Sequence, residues 1–206
     1  MEQRRLTQRG EERRSQILDL SAILFANAGY HPTSVADIVR ECGVGKGVFY
    51  WYFESKEALF TEIIRSNQLA LRKQQRRLIG NEPDPLKRIE IGIRATMHWL
   101  GENRHVFALF QFAAADSLFS HLITDGAEVG VADTMRHVKD GIATGQIYDG
   151  DPLMITTAIL GVLNSLSRRF LAGSPNIGPE TVAAEATGFI LHGLVVENER
   201  QVPVND

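Results

Sequence analysis

The chain has a single cysteine, Cys42, among its 206 residues. An internal disulfide is therefore excluded, and a reducing compartment fits. Long apolar runs are also missing: the two longest nearly apolar stretches, 155–166 and 189–196, are too short or too interrupted to span a bilayer. The first twenty residues carry Arg4, Arg5, Glu11, Glu12, Arg13 and Arg14 without the apolar segment of a signal peptide. No membrane association is expected, and the expected location is cytoplasmic. Four catalytic signatures are absent as well: HExxH, a glycine-rich phosphate loop, paired CxxC motifs and a G-x-S-x-G elbow. The histidines (His31, His98, His105, His121, His137 and His192) include no i, i+4 pair of the kind that holds zinc on a helix. The expectation is a protein that is not an enzyme and needs no metal or cofactor.

What is present is a helical grammar, with no strand-like alternation of apolar and polar residues. Hydrophobic residues make up 44% of the chain and charged residues 23%, enough of each for a packed core in water. Ile17, Leu20, Leu24 and Ala28 recur at helical spacing over 11–28, and Gly29 stands where a helix stops. Ser34 and Asp37 form an S-x-x-D capping box for a short helix ending at Arg40 or Glu41. Gly43 ends that helix, a third begins near Gly45, and Ser55 is the N-cap of a long fourth with Glu57 in its first turn. Next comes a linker, Asn81-Glu82-Pro83-Asp84-Pro85. Asp84-Pro85, Asp151-Pro152 and Gly178-Pro179 each place a capping residue before a proline at the first helical position. Further helices are predicted over 85–101, 104–118, 126–144, 152–172 and 179–197, about nine in all. The formal charge of −3 hides an asymmetry: +4 through Ile79 and −7 from Gly80 on. A basic front is the half suited to approach a polyanion.

The most informative segment is Thr33 to Phe53. Ala36, Ile38, Val39, Val44 and Phe49 supply apolar faces for two short helices, and Gly43 allows the left-handed turn between them. In a helix-turn-helix the second helix enters the major groove with its N-terminal residues against base edges. Gly45 and Gly47 remove bulk at that leading end, Lys46 brings a charge, and Tyr50, Trp51 and Tyr52 come after it as aromatics with polar tips. Two short helices joined by a glycine turn also occur in domains that never touch nucleic acid, so the pattern alone leaves both readings open.

The run T-[ST]-x-x-[DE]-I-x-x-x-x-G-V-[GS]-x-G-x-[FL]-Y-x-[YH]-F-x-[SN]-K-[ED]-x-L is met from Thr33 through Leu59. It is preceded by R-x-x-I-L-x-x-A-x-x-L-F-A-x-x-G-[YF] from Arg14 to Tyr30, with Ser21 in place of the alanine. In these residues the chain resembles the TetR family of bacterial transcriptional regulators. The resemblance implies an all-α protein. An N-terminal three-helix DNA-binding domain would span 11–71, with its recognition unit at 34–53, and a helical effector-binding and dimerisation domain would span 80–200. It also assigns roles. Thr33 and Ser34 become phosphate contacts, while Lys46, Gly47 and Val48 face the bases, Lys46 toward guanine and Val48 toward a thymine methyl. Tyr50 and Lys56 become phosphate contacts, and Trp51 and Tyr52 occupy variable contact positions. Arg4, Arg5, Arg9, Arg13 and Arg14 form either an arm reaching a neighbouring groove or a tail without contacts.

The resemblance is weaker in the C-terminal half, persisting at Gly141–Ile147 and at Asp149-Gly150-Asp151-Pro152. Ile155, Ile159, Val162, Leu166 and Phe170 line one stripe and Val182, Ala186, Phe189 and Gly193 another, either of which one subunit alone can bury. The family pairs these two helices across a homodimer, which implies interface residues Ile159, Val162, Leu166, Ala186, Phe189 and Gly193. Two reading heads would then address a palindromic or near-palindromic operator about 34–36 Å apart. It also implies a small-molecule effector of unspecified identity. Candidate lining residues are Met97, Trp99, Phe107, Phe110, Phe112, Met135, Met154 and Asn164, all equally suited to an ordinary core. An effector would favour an arrangement in which the fourth helix tilts the heads out of register, relieving repression.

Overall fold

The computed structural model describes residues 7–171 and 177–195, and nine α-helices occupy them: α1 (Gln8–Ala28), α2 (Val35–Glu41), α3 (Lys46–Tyr52), α4 (Lys56–Ile79), α5 (Pro85–Glu102), α6 (Arg104–Ala115), α7 (Ser120–Ala143), α8 (Pro152–Leu166) and α9 (Pro179–Leu194). The expected all-α fold is what the described residues adopt. No single helix among them is long and apolar enough to cross a membrane.

Local capping explains most helix starts. Thr7 accepts a hydrogen bond from the Gly10 amide at 3.3 Å, so α1 begins three residues before the predicted start. The Ser34–Asp37 box forms in both directions, Ser55 accepts from the Ala58 amide at 3.1 Å, and Asp151 accepts from the amides of Leu153 and Met154. Gly29 and Gly43 stop their helices at φ of 85° and 63°, where a side chain is strained.

Further predicted boundaries differ at the sixth, seventh and eighth helices. The 104–118 and 126–144 helices meet at a sharp corner instead, because Asp116 turns extended and caps the segment leading into α7. Its side chain accepts from the Leu118 amide at 2.9 Å and its carbonyl from the Ser120 amide at 2.8 Å. The eighth helix leaves α geometry at Ser167, and Ser167–Leu171 form a π-helical turn in which the Ser167 hydroxyl donates to the Leu163 carbonyl at 2.7 Å. The predicted ends at 172 and 197 lie outside the described residues.

The described residues fall into two compact units. The first joins the chain up to Ala70 with Asn103–Gly126. Its core is Ile17, Phe25, Tyr30, Ile38, Phe49, Phe53, Leu59, Phe60, Ile63 and Ile64, together with Leu109, Ala113, Phe119 and Leu122 from α6 and the start of α7. The segment 103–126, expected in the effector-binding domain, thus shares the core of the N-terminal unit. The second unit joins Leu71–Glu102 with the described residues from Ala127 on. In it α5 lies along α9: Ile89, Ile93, Met97 and Leu100 on the one and Val182, Ala183, Ala186, Ile190 and Leu194 on the other are buried. A Cβ on Gly101 would sit 2.5 Å from Pro179, so that close approach requires glycine. Arg94 and His98 both pair with Glu180 at the start of α9, at 3.0 and 2.6 Å.

Candidate nucleic-acid interface

The head is built around α3. Seven residues hold little helix by themselves, so α3 depends on two anchors four residues apart: Phe49 is fully buried, Phe53 nearly so, and their rings lie 5.8 Å apart. Helical geometry then turns positions 46, 47, 50 and 51 the other way. Gly45, Lys46 and Gly47 are exposed, as are Val48, Tyr50 and Trp51 at 40, 56 and 53% of their surface. More than half the surface of Tyr50 and of Trp51 is left uncovered, although the Tyr50 ring meets Phe49 edge-on at 5.3 Å. Tyr52 is half-buried and packs edge-on against Trp51 at 4.5 Å.

Ahead of α3, the capping box sets α2. Asp37 accepts from both the Ser34 hydroxyl and the Ser34 amide, and Arg40 bonds its other oxygen. Those bonds hold the Asp37 carboxyl down at about 2, the Ser34 hydroxyl contributing most. The charge therefore stabilises the folded head above the ordinary carboxylate range, and the benefit is lost as pH falls through that range toward 2. Thermal melts of wild type and Asp37→Asn should differ at pH 6 and converge between about pH 4 and pH 2. A gap that persists at pH 2 would locate the effect elsewhere than in the charge.

The other expected phosphate ligands are placed differently. Thr33 is buried, 3% exposed, and its hydroxyl donates to the Gly29 carbonyl at 2.6 Å. That hydroxyl is committed to the turn, and only its neighbour Ser34 is open. The Lys56 ammonium donates to the carbonyls of Tyr30 and Thr33 at 3.0 and 2.8 Å and lies 4.2 Å from the Tyr30 ring centroid. Of the arginines proposed as an arm, Arg9, Arg13 and Arg14 belong to α1. Arg14 is paired with Glu62 and stacked over Phe53 at 5.3 Å, while Arg13 bonds Gln16. Arg4 and Arg5 lie outside the described residues.

Residues 17–63 match the family model described as bacterial regulatory proteins, tetR family. Over nearly its whole length the chain is similar to an uncharacterized HTH-type transcriptional regulator of Bacillus subtilis, YdgC, at 25% identity over 91% of this chain and 95% of that one. It is also similar to the HTH-type transcriptional repressor KstR2 of Rhodococcus jostii, at 25% identity over 88% and 91%. Among solved structures, the TetR family transcriptional regulator PfmR of Thermus thermophilus superposes with a TM-score of 0.73 at 25% identity, over 87% of this chain and 99% of that one. The chain belongs to the TetR family.

This TetR-family protein is a DNA-binding transcriptional regulator, and the face of α3 that carries Lys46, Gly47, Tyr50 and Trp51 is open to solvent. The residues that the sequence alone did not single out lie behind that surface. Tyr30 is held at its hydroxyl by Glu57 at 3.1 Å and is ringed by Phe25, Phe60, Phe112 and Phe119, with centroids 4.8–5.6 Å away. Burial pushes its phenol up, the Glu57 carboxylate adding to the shift. The Glu57 carboxyl is held down by its own backbone amide and the Ser55 hydroxyl. The position was visible as the aromatic closing the Arg14–Tyr30 run, and its partners were not.

The expected effector-pocket residues divide between the two units. Phe107 is buried and Phe110 half-buried in the first. In the second, Met97 and Trp99 are buried in the α5 face, Met135 is half-buried, and Asn164 and Met154 are exposed, Met154 by 75%. Met97 is fully buried, with its sulfur 3.4 Å from the Ser167 hydroxyl oxygen, and is core. The expected interface residues also separate. Ile159 and Ala186 are buried inside the second unit, because their stripes are the ones that face its core, and Val162 and Leu166 are half-buried. Phe189, 71% exposed, and Gly193 lie outside, on the side of α9 away from Ile190 and Leu194. Leu153 and Met154 on α8 are likewise uncovered. Among the described residues no group of three or more His, Cys, Asp or Glu side chains is placed to hold a metal ion.

Proposed function

We propose that this protein acts in the cytoplasm as a homodimeric repressor that binds a palindromic operator through α3 and leaves it when a small organic effector binds. The observation carrying this reading is the division of α3: Phe49 and Phe53 are spent on the core, while Lys46, Gly47, Val48, Tyr50 and Trp51 are exposed to solvent. In the proposed contact set Lys46 donates to guanine, Val48 touches a thymine methyl, Gly45 and Gly47 admit the backbone, and Tyr50 and Ser34 hold phosphates, flanked by Trp51 and Tyr52.

Dimerisation is supported by the apolar surface left on α8 and α9, where Leu153, Met154 and Phe189 are exposed together with Gly193. Val162 and Leu166, half-buried on α8, complete the proposed contact. The effector reading leans on the names of two solved neighbours, one a ketosteroid transcriptional regulator and the other a fatty acid metabolism regulator. A small, largely apolar molecule is the corresponding expectation here. Helix α4 runs from the first unit into the second, so it is the element through which an effector would act, with a coupling on the order of 1–3 kcal/mol.

A gel shift with the DNA upstream of the protein's own gene tests the reading. Specific, salt-sensitive retention of two chains per duplex is expected, and no retention at low salt would reject it. Tyr50→Ala should weaken binding to every sequence. Lys46→Ala should cost about 1–3 kcal/mol and relax preference at one base pair; unchanged preference would remove Lys46 from the base-reading set.

A further inference from the structure

We infer that Gln68 is a positioning residue for operator binding: stapled to the first turn of α7, it restrains a weak point in α4 and so sets the direction in which α4 leaves the DNA-reading head. The inference rests on the dimeric, DNA-binding reading above. Helix α4 begins in the head core, where Leu59, Phe60, Ile63 and Ile64 are buried. One residue later comes a polar triplet, Ser66-Asn67-Gln68, and all three side chains bond backbone carbonyls. Ser66 and Asn67 both turn back on the Ile63 carbonyl, at 3.1 and 2.8 Å. Side chains that return to their own helix compete with its ladder and ease bending. Gln68 reaches across instead, its amide nitrogen donating to the Leu122 carbonyl at 3.0 Å.

The far side of the staple is shaped to receive it. Gly126 lies on α7 one turn after Leu122, on the same face. A Cβ there would sit 2.6 Å from the carboxamide carbon of Gln68, so the side chain can seat only over a glycine. Glycine inside a helix is otherwise a cost. Leu122 is itself buried in the head core with Phe119, which anchors the staple in the body it orients. Helices α4 and α7 pass from the first unit into the second after Ala70 and Gly126. The staple therefore stands at the exit of both, where any force carried along α4 meets the head.

Two substitutions break the contact from opposite sides. Gly126→Ala expels the tip of a flexible side chain without opening a cavity, and Gln68→Ala removes that tip. Two heads must meet successive grooves at once, so a looser α4 exit costs affinity on a full operator and not on a duplex carrying one half-site. Full-operator affinity by fluorescence anisotropy should fall about fivefold in either variant, the weight of one hydrogen bond, and by about the same factor in the double variant. Half-site affinity should stay within about twofold of wild type. Unchanged full-operator affinity, multiplied losses in the double variant, or equal losses on both duplexes would each overturn the inference.

Two measurements on the free protein need no DNA. Amides at 67–70 should exchange about fivefold faster in both single variants, while those of Phe60 and Ile63 hold. Unchanged exchange at 67–70 would reject the restraint whether or not wild type binds an operator. In the Gln68→Ala background, Gly126→Ala should raise the melting temperature by about 2 °C, a gain in helix propensity with nothing to displace. In the wild-type background it should not, and an equal rise in both would also overturn the inference. Failure of wild type to bind any duplex, with the faster exchange present, strikes only the functional reading.

Discussion

Gly47→Leu is expected to leave the head folded and to reduce specific operator affinity at least about a hundredfold, equivalent to losing one to two base-edge contacts. A Cβ built on Gly47, or on Gly45, meets nothing within 4 Å, and neither residue is among those with positive φ. Steric crowding and left-handed backbone, the usual internal reasons for glycine, are both missing. Glycine inside a helix nevertheless costs roughly 0.5–1 kcal/mol relative to alanine, and Gly47 lies in the first turn of α3. The fold tolerates that cost without return, so the return lies outside the chain, where a groove wall would meet the leading end of α3. Gly47→Ala should therefore raise the melting temperature slightly while weakening binding. Leucine, larger than alanine, should exclude the helix end from the groove. Paired melts and anisotropy titrations give both numbers, and wild-type affinity in Gly47→Leu would take this end of α3 out of the groove.

The largest stability effect is expected at Phe60. Its side chain is fully buried, and its ring meets Phe25, Tyr30, Phe112 and Phe119 at centroid distances between 4.6 and 5.7 Å. Truncation to alanine loses the transfer term and leaves a cavity between helices that cannot all close in, about 3–5 kcal/mol for phenylalanine, besides the ring-on-ring contacts. Against a typical total of roughly 5–15 kcal/mol, that is enough to leave the N-terminal unit marginal. In urea, Phe60→Ala should lower the midpoint with little change in slope, and Phe60→Leu should recover most of the loss. A change below about 1 kcal/mol would mean that the cluster is not the keystone of this unit.

Phe60 was not marked out by the sequence. It stands beside Leu59 in an ordinary apolar pair, and only the arrival of Phe112 and Phe119, more than fifty residues on, makes it central. The DNA-reading head was legible because its determinants are local. The Ser34–Asp37 box, the Gly43 turn and the Phe49–Phe53 spacing each act within four residues, and hydrogen bonds and helical geometry over that range depend little on the rest of the molecule.

Periodicity likewise announced that α8 and α9 have apolar faces, but two adjacent stripes on a helix satisfy the same spacing. Which one turns inward is fixed by the partner it packs against, and α5 chose Ala186 and Ile190 over Phe189. The chain's letters alone established the number of helices, most of their boundaries and the caps at Ser34, Ser55 and Asp151. The tertiary structure decided that the α6–α7 corner shares the head's core and that the Lys56 ammonium bonds the α1–α2 turn. Both depend on groups far apart in sequence, whose meeting no local rule encodes.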